Sequence, residues 1–278
     1  MTHRRLAAVA TAALLALTGC SSDEGGEAIR TVDETTTTAA PELSGAELIR
    51  SAADAPQEHE TVTTEMVIEV DGQQFMSSSG SASLDNGRAD TRVEMQGMSF
   101  RMLFVDGAYY YQYPQMPPGV EWVEMAAGEV SDLAGIDPTA AQGDPTAVLE
   151  MLRSVSEDFE PLGSDTLFGV PVEGYRATLS GQEMVDGNAA MGVYSDEMAE
   201  TMSDLIPETF EVDVWIDGDG LPRRQSWSMD MPAGFGGQLS RFSYRIDFTD
   251  WGAPLEVAAP DPSVVMPFEE FLSAAQPG

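Results

Sequence analysis

In the second half of the chain, apolar and polar residues trade places at nearly every step. Phe210, Val212, Val214 and Ile216 alternate with Glu211, Asp213, Trp215 and Asp217, and Phe242, Tyr244, Ile246 and Phe248 alternate with Ser243, Arg245, Asp247 and Thr249. The same period appears in Met66, Ile68 and Val70, in Phe100, Met102 and Phe104, and in Tyr109, Tyr111 and Tyr113. A period of two marks strands with one face buried and one face wet, as in an antiparallel sheet. Asp71-Gly72, Asp85-Asn86-Gly87, Asp106-Gly107 and Gly218-Asp219-Gly220 supply the turns between them. Three stretches keep a different rhythm. Ser44 to Ala55 opens with an N-cap and places Glu47 at the capping-box position. Thr146 to Val155 follows Asp144-Pro145 and carries Val148, Leu149, Leu152 and Val155 on one stripe. Tyr194, Met198, Met202, Leu205 and Ile206 fall near helical spacing between a strand ending near Leu179 and one starting near Phe210. The pattern predicts an α+β layer fold: one long antiparallel sheet whose apolar face is covered by short helices. Whether the sheet curls is not set by periodicity.

The N-terminus has a separate logic. His3, Arg4 and Arg5 precede an apolar run from Leu6 to Leu17. That run is shorter than the roughly 20 residues needed to span a bilayer, and it fits a signal peptide over residues 1–19. Arg4-Arg5 lacks the apolar motif of a twin-arginine signal, so the general secretory route is expected. Leu17-Thr18-Gly19-Cys20 resembles the lipobox of bacterial lipoproteins. The resemblance implies that Cys20 carries diacylglycerol and tethers the exported protein to the outer face of the cytoplasmic membrane. Cys20 is also the only cysteine, so the body has no disulfide, thiolate metal site or cysteine nucleophile. Residues 20–43 are polar, acidic and Thr-rich, which predicts a disordered linker spanning roughly 25–30 Å. Residues 44–278 then form a single domain.

Charge narrows the partners. The net charge is −34, with no lysine, and loss of residues 1–19 removes two more arginines. Such a chain repels nucleic acid and anionic membrane surfaces. Yet 42% of residues are hydrophobic and 8% aromatic, enough for a sizeable core. Catalytic constellations are missing. His59 is the one histidine left after the signal peptide, it lies between Glu58 and Glu60, and no Gly-x-Ser-x-Gly elbow accompanies it. Asp217 to Gly220 reads DGDG, but Leu221 and Pro222 follow where a calcium loop would still need oxygen ligands. A glycine turn accounts for the same four residues. Met198 and Met202, among sixteen methionines, sit on an apolar stripe that packing explains without Cu(I). No catalytic residue, metal or cofactor is expected.

Five ordered motifs point further. They are FVDGAYYYQYP…EWVEM (Phe104 to Met125), DPTAVLEMLRS (Asp144 to Ser154), GVPVEGYRATL (Gly169 to Leu179), DVWIDGDGLPRR (Asp213 to Arg224) and FTDWGAPLEVAAPDPSVV (Phe248 to Val265). Together with the lipobox, their order resembles the actinobacterial LppX/LprA/LprF/LprG lipoproteins, which are similar to the LolA-type carriers of lipoproteins. The resemblance implies a strongly curved half-barrel, helices over its concave face, and a cavity that holds or transfers lipids or glycolipids. On that reading Phe100, Met102, Phe104, Phe210, Val212, Val214, Ile216, Tyr244, Ile246 and Phe248 line the cavity, and Met198, Met202 and Leu205 form a movable lid. If the helices fill the face instead, the same residues are core. Arg223 shares the parity of Trp227 and Met229, which places it either at the rim facing an anionic headgroup or in a salt bridge. The cargo does not carry over, and the sequence names no protein partner. The rival reading is a tethered domain with a packed core, whose acidic surface binds a cationic envelope partner or cell-wall component.

Overall fold

The structure is a computed structural model that describes residues 47, 49, 52, 54–84, 87–134, 159–190, 194–231 and 240–275. The signal segment, Cys20, the linker and the helix expected over Thr146 to Val155 lie outside the described residues. Twelve strands make one sheet: β1 (Thr61–Val70), β2 (Gln73–Ser83), β3 (Ala89–Met95), β4 (Met98–Val105), β5 (Ala108–Gln112), β6 (Trp122–Ala126), β7 (Glu160–Leu167), β8 (Val170–Ser180), β9 (Thr209–Asp217), β10 (Pro222–Met231), β11 (Ser240–Thr249) and β12 (Val265–Pro267). Their spatial order is β12-β6-β5-β4-β3-β2-β1-β11-β10-β9-β8-β7. The sheet is curved and does not close, since β12 and β7 end the order unpaired with each other. Every neighbouring pair is antiparallel except β12 on β6, which is parallel. This is the α+β antiparallel sheet that the periodicity predicts, with the curvature that the family resemblance implies.

The helices are short. Residues 47, 49, 52 and 54 are helical (α1), within the span expected from Ser44, and a 3-10 turn follows over Ala55–Glu58. Helices α2 (Ala127–Ala134), α3 (Gly181–Ala190), α4 (Asp196–Leu205) and α5 (Phe268–Ala275) complete the set among the described residues. Helix α4 starts two residues after Tyr194 because Ser195 caps it, its hydroxyl accepting from the Met198 amide at 3.3 Å. Asp196 and Glu197 then complement the positive end of the helix. Helix α3 carries no readable apolar stripe, because GQEMVDGNAA offers two glycines and only Met184 and Val185 as large apolar residues. None of these helices is long and apolar enough to cross a membrane.

The turns follow residue type. Asp71-Gly72 and Asp106-Gly107 both place two successive residues at positive φ, the geometry whose twist suits a two-residue hairpin. In β10 a bulge between Pro222 and Arg224 makes Arg223 an extra residue against β9. The parity that aligned Arg223 with Trp227 and Met229 therefore fails at the bulge.

The register defines two faces. The inner face is the one on which Ile49 and Ala52 of α1 and Met184 of α3 pack, against Leu179, Phe210, Val212, Val214, Ile216 and Met229. A second core lies on the outer face, where Leu103, Val105, Tyr110 and Trp122 are buried beneath Leu255 and Val257 of the segment after β11. That segment is anchored by the Gly252 amide, which donates to the Thr61 carbonyl at 2.9 Å, and by the Thr61 hydroxyl, which donates to the Ala253 carbonyl at 2.5 Å. Sequence periodicity predicts one apolar face; the structure has one and a half.

Candidate functional site

One row of cross-strand neighbours spans eight strands of the inner face: Tyr175, Val214, Gln225, Ile246, Met66, Ser78, Val93 and Phe100. The next row runs Ala177, Val212, Trp227, Tyr244, Ile68, Met76, Met95 and Met98. Because side chains alternate along each strand, Met102, Phe104, Phe210, Ile216 and Phe248 share this face. All ten residues expected to line a cavity thus lie on one side of the sheet.

They do not share one environment. Phe210, Val212, Val214, Ile216, Met102 and Phe248 are buried. Phe100, Phe104, Tyr244 and Ile246 are half-buried, as are their neighbours Met66, Ile68, Val70 and Met76. Helices α1 and α3 cover the β8–β10 part of the face. Across β1 and β2 the face is open enough to leave apolar side chains partly exposed.

Aromatic rings stand on either side of that stretch. Tyr109, Tyr111 and Tyr113 stack in sequence at 6.0 Å between centroids, and Tyr113 stacks on Phe271 of α5 at 5.7 Å. Tyr113 continues the ladder one residue past the end of β5. On the other side Trp227 lies 5.4 Å from Phe242 and 5.3 Å from Tyr244, with Phe210 edge-on at 5.9 Å. Between the two groups the inner positions of β2 are Met76, Ser78, Gly80 and Ala82, three of them short. Burial pushes the Tyr244 hydroxyl up to about 12, and burial, with a smaller contribution from Tyr113, does the same to Tyr111.

Polar groups are few here. Gln225 is 3% exposed and sits between Val214 and Ile246, and its side-chain amide makes no hydrogen bond among the described residues. Sequence reasoning missed it, although an amide at an inward position of a period-two strand was a legible signal. Arg223 is not at a ligand-facing rim: its Nε donates to the Asp217 carboxylate at 2.7 Å. The other oxygen of Asp217 accepts from the Asp219 and Leu221 amides at 3.0 and 2.9 Å. The DGDG segment is thus a turn fastened by its own first carboxylate, with Gly220 at φ +82°. His59 lies against Trp251, with ring centroids 5.9 Å apart.

Met198, Met202 and Leu205 are half-buried on α4, whose main neighbour is α3. The residue of this segment that reaches the inner core is Ile206, just past the helix end.

No family model matches the sequence, and no curated protein matches it. Solved structures do. The crystal structure of LprF from Mycobacterium bovis matches with a TM-score of 0.53 at 12% identity, over 77% of this chain and 96% of LprF. The lipoprotein LppX from Mycobacterium tuberculosis gives a TM-score of 0.48 at 16% identity, over 77% of this chain and 97% of LppX. At such identities the likeness is one of fold. The chain therefore has the curved, open-sheet fold of LprF, one of the lipoproteins that its own ordered motifs resemble.

Proposed function

We propose that this protein is an envelope lipoprotein of the LppX/LprG type, anchored through Cys20, which binds a lipid or other amphiphile on its inner face and performs no chemistry on it. The observation that carries this reading is the inner face across β1 and β2. There Met66, Ile68 and Met76 are only half-buried, beside the short side chains of β2 and between two aromatic groups. A filled core would bury these residues; an acyl chain laid along them removes apolar surface from water at about 0.8 kcal/mol per methylene. The Gln225 amide offers a hydrogen bond to an ester or hydroxyl of the ligand, in a setting where leaving an amide unpaired is costly. The family that the motifs resemble holds lipids in the corresponding place.

Native mass spectrometry with organic extraction tests this on the full chain carrying Cys20→Ala. A discrete adduct that extraction resolves into lipid is expected, and Ile246→Asp should lose it while keeping its circular dichroism spectrum. A clean apo mass, with no uptake when lipids are offered, overturns the reading and favours an acidic interaction domain with a packed core.

A further inference from the structure

Eight arginines fall among the described residues, and seven of them carry an ion pair. On the outer face the sheet register sets arginines against acids, with Arg176 opposite Asp213 and Arg224 opposite Asp247. Arg92 breaks the pattern. It lies directly opposite Arg101. The nearby Asp90 commits both oxygens to Arg101, at 2.8 and 2.5 Å. Arg92 is exposed, and its guanidinium has no ion pair or hydrogen bond among the described residues. Like charges directly across a strand pair are destabilising, and a chain with 47 acids and 13 basic residues had ample means to neutralise this one.

The two guanidinium groups border a cleft of about 370 Å³ at the ends of β4 and β5. Gln112 stands opposite Arg101 on the outer face and lines the same cleft. Met116 and Val120 form an apolar wall, and Glu121 also lines it. We propose that the cleft binds a phosphodiester: one oxyanion is held by the Arg92 fork and the Gln112 amide, and the rest of the ligand lies on Met116 and Val120. A guanidinium presents parallel N–H donors to an oxyanion. A phosphodiester offers two terminal oxygens to the Arg92 fork and the Gln112 amide and carries two ester arms, one of which can lie on the apolar wall while the other leaves the cleft, whereas a carboxylate has a single substituent. Glu121 disfavours a second negative charge, which selects a diester over a phosphate monoester. Phe100 and Tyr113 also border the cleft, which therefore lies at the edge where the two faces meet, but Met66, Ile68, Met76 and Ile246, on which the inner-face reading rests, do not line it.

Calorimetry on the full chain carrying Cys20→Ala would use four probes: glycerophosphoglycerol, monomeric dihexanoyl phosphatidylglycerol, neutral dihexanoylglycerol, whose Arg92-dependent binding would overturn the proposal, and hexanoate. Arg92-dependent binding of both phosphodiesters identifies the diester itself as the ligand, and binding of dihexanoyl phosphatidylglycerol alone identifies a lipid headgroup. In either case Arg92→Gln should weaken binding about tenfold or more, and Arg92→Lys should recover part of it. Ile246 does not line the cleft, so Ile246→Asp should leave this binding unchanged, which separates it from binding along β1 and β2. The proposal is overturned if neither phosphodiester binds, if Arg92→Gln binds them as wild type does, or if hexanoate binds through Arg92 more tightly than either diester.

Discussion

Asp217 fastens a turn and a charge with one side chain. One oxygen takes two backbone amides and the other takes Arg223, and the carboxylate is only 2% exposed. Asp217→Ala therefore strands a mostly buried guanidinium and the buried Leu221 amide together. The expected loss is about 3–5 kcal/mol, read as a lower denaturant midpoint at unchanged slope. Asp217→Asn keeps an acceptor for the amides and loses the ion pair, so it should fall between the two. Equal losses in both variants would mean that the turn amides contribute nothing. Tyr111 and Tyr244 carry a different signature. Both hydroxyls are pushed up to about 12, above the ordinary value near 10. Between those values the unfolded chain has released a proton that the folded chain retains, so stability is full below about pH 10 and falls as pH rises toward about 12. Denaturation midpoints taken across that window should drop in the wild type. Tyr244→Phe should lessen the drop, by an amount of order 2 kcal/mol at its top. An unchanged slope would show that Tyr244 ionises as freely in the fold as outside it.

At the scale of elements, glycine separates close packing from open space. A side chain at Gly80 in β2 would run into the Asp90 carbonyl and the Thr91 Cα of β3, so Gly80→Ala should cost about 1–3 kcal/mol. Gly128 in α2 has nothing within 4 Å of an added methyl group, and Gly128→Ala should gain about 0.5–1 kcal/mol. Thermal denaturation of the two variants checks the contrast; a gain at Gly80 would mean that β2 and β3 are not as close as described. The same strand shows why parts of the sheet escape a reading by periodicity. With Ser78, Gly80 and Ala82 inward and Ser77, Ser79 and Ser81 outward, β2 has small residues on both faces and no alternation to see. Strands β1, β4, β5, β9 and β11 were legible because one face needs large apolar side chains and the other does not. The outer core left a trace that alternation hid. Met102 to Val105 is apolar at every position, the mark of a strand covered on both sides. Its cover, Leu255 and Val257, arrives from about 150 residues away, which local pattern cannot supply. At the site the ten inner residues could be placed on one face from parity alone. Arg223 could not, since a bulge is invisible to a period of two, and neither could Arg92, because register across strands decides what opposes it.

The whole molecule must hold together against a net charge of −34. Its arginines answer this locally, in cross-strand pairs such as Arg176 with Asp213 and Arg224 with Asp247. Too few exist to answer it globally. Two opposite dependences on salt follow. Screening weakens each exposed pair, which is worth at most about 1 kcal/mol. It also weakens the repulsion among all the unpaired carboxylates, and that repulsion acts against the compact state. The carboxylates far outnumber the pairs. Two of the close pairs, Arg223 with Asp217 and Arg224 with Asp247, have an almost fully buried carboxylate, so salt reaches them least. Repulsion should therefore win. Raising sodium chloride from about 0.01 M to about 1 M, where the screening length shrinks from roughly 30 Å to 3 Å, should raise the melting temperature by roughly 2–4 °C for each 1 kcal/mol of relief. Arg224→Gln should melt lower than wild type yet show the same rise with salt, because the rise belongs to the surplus charge and not to the pair. A melting temperature that falls with salt would reverse the assignment and make the arginine pairs, few as they are, the larger electrostatic contribution to the fold.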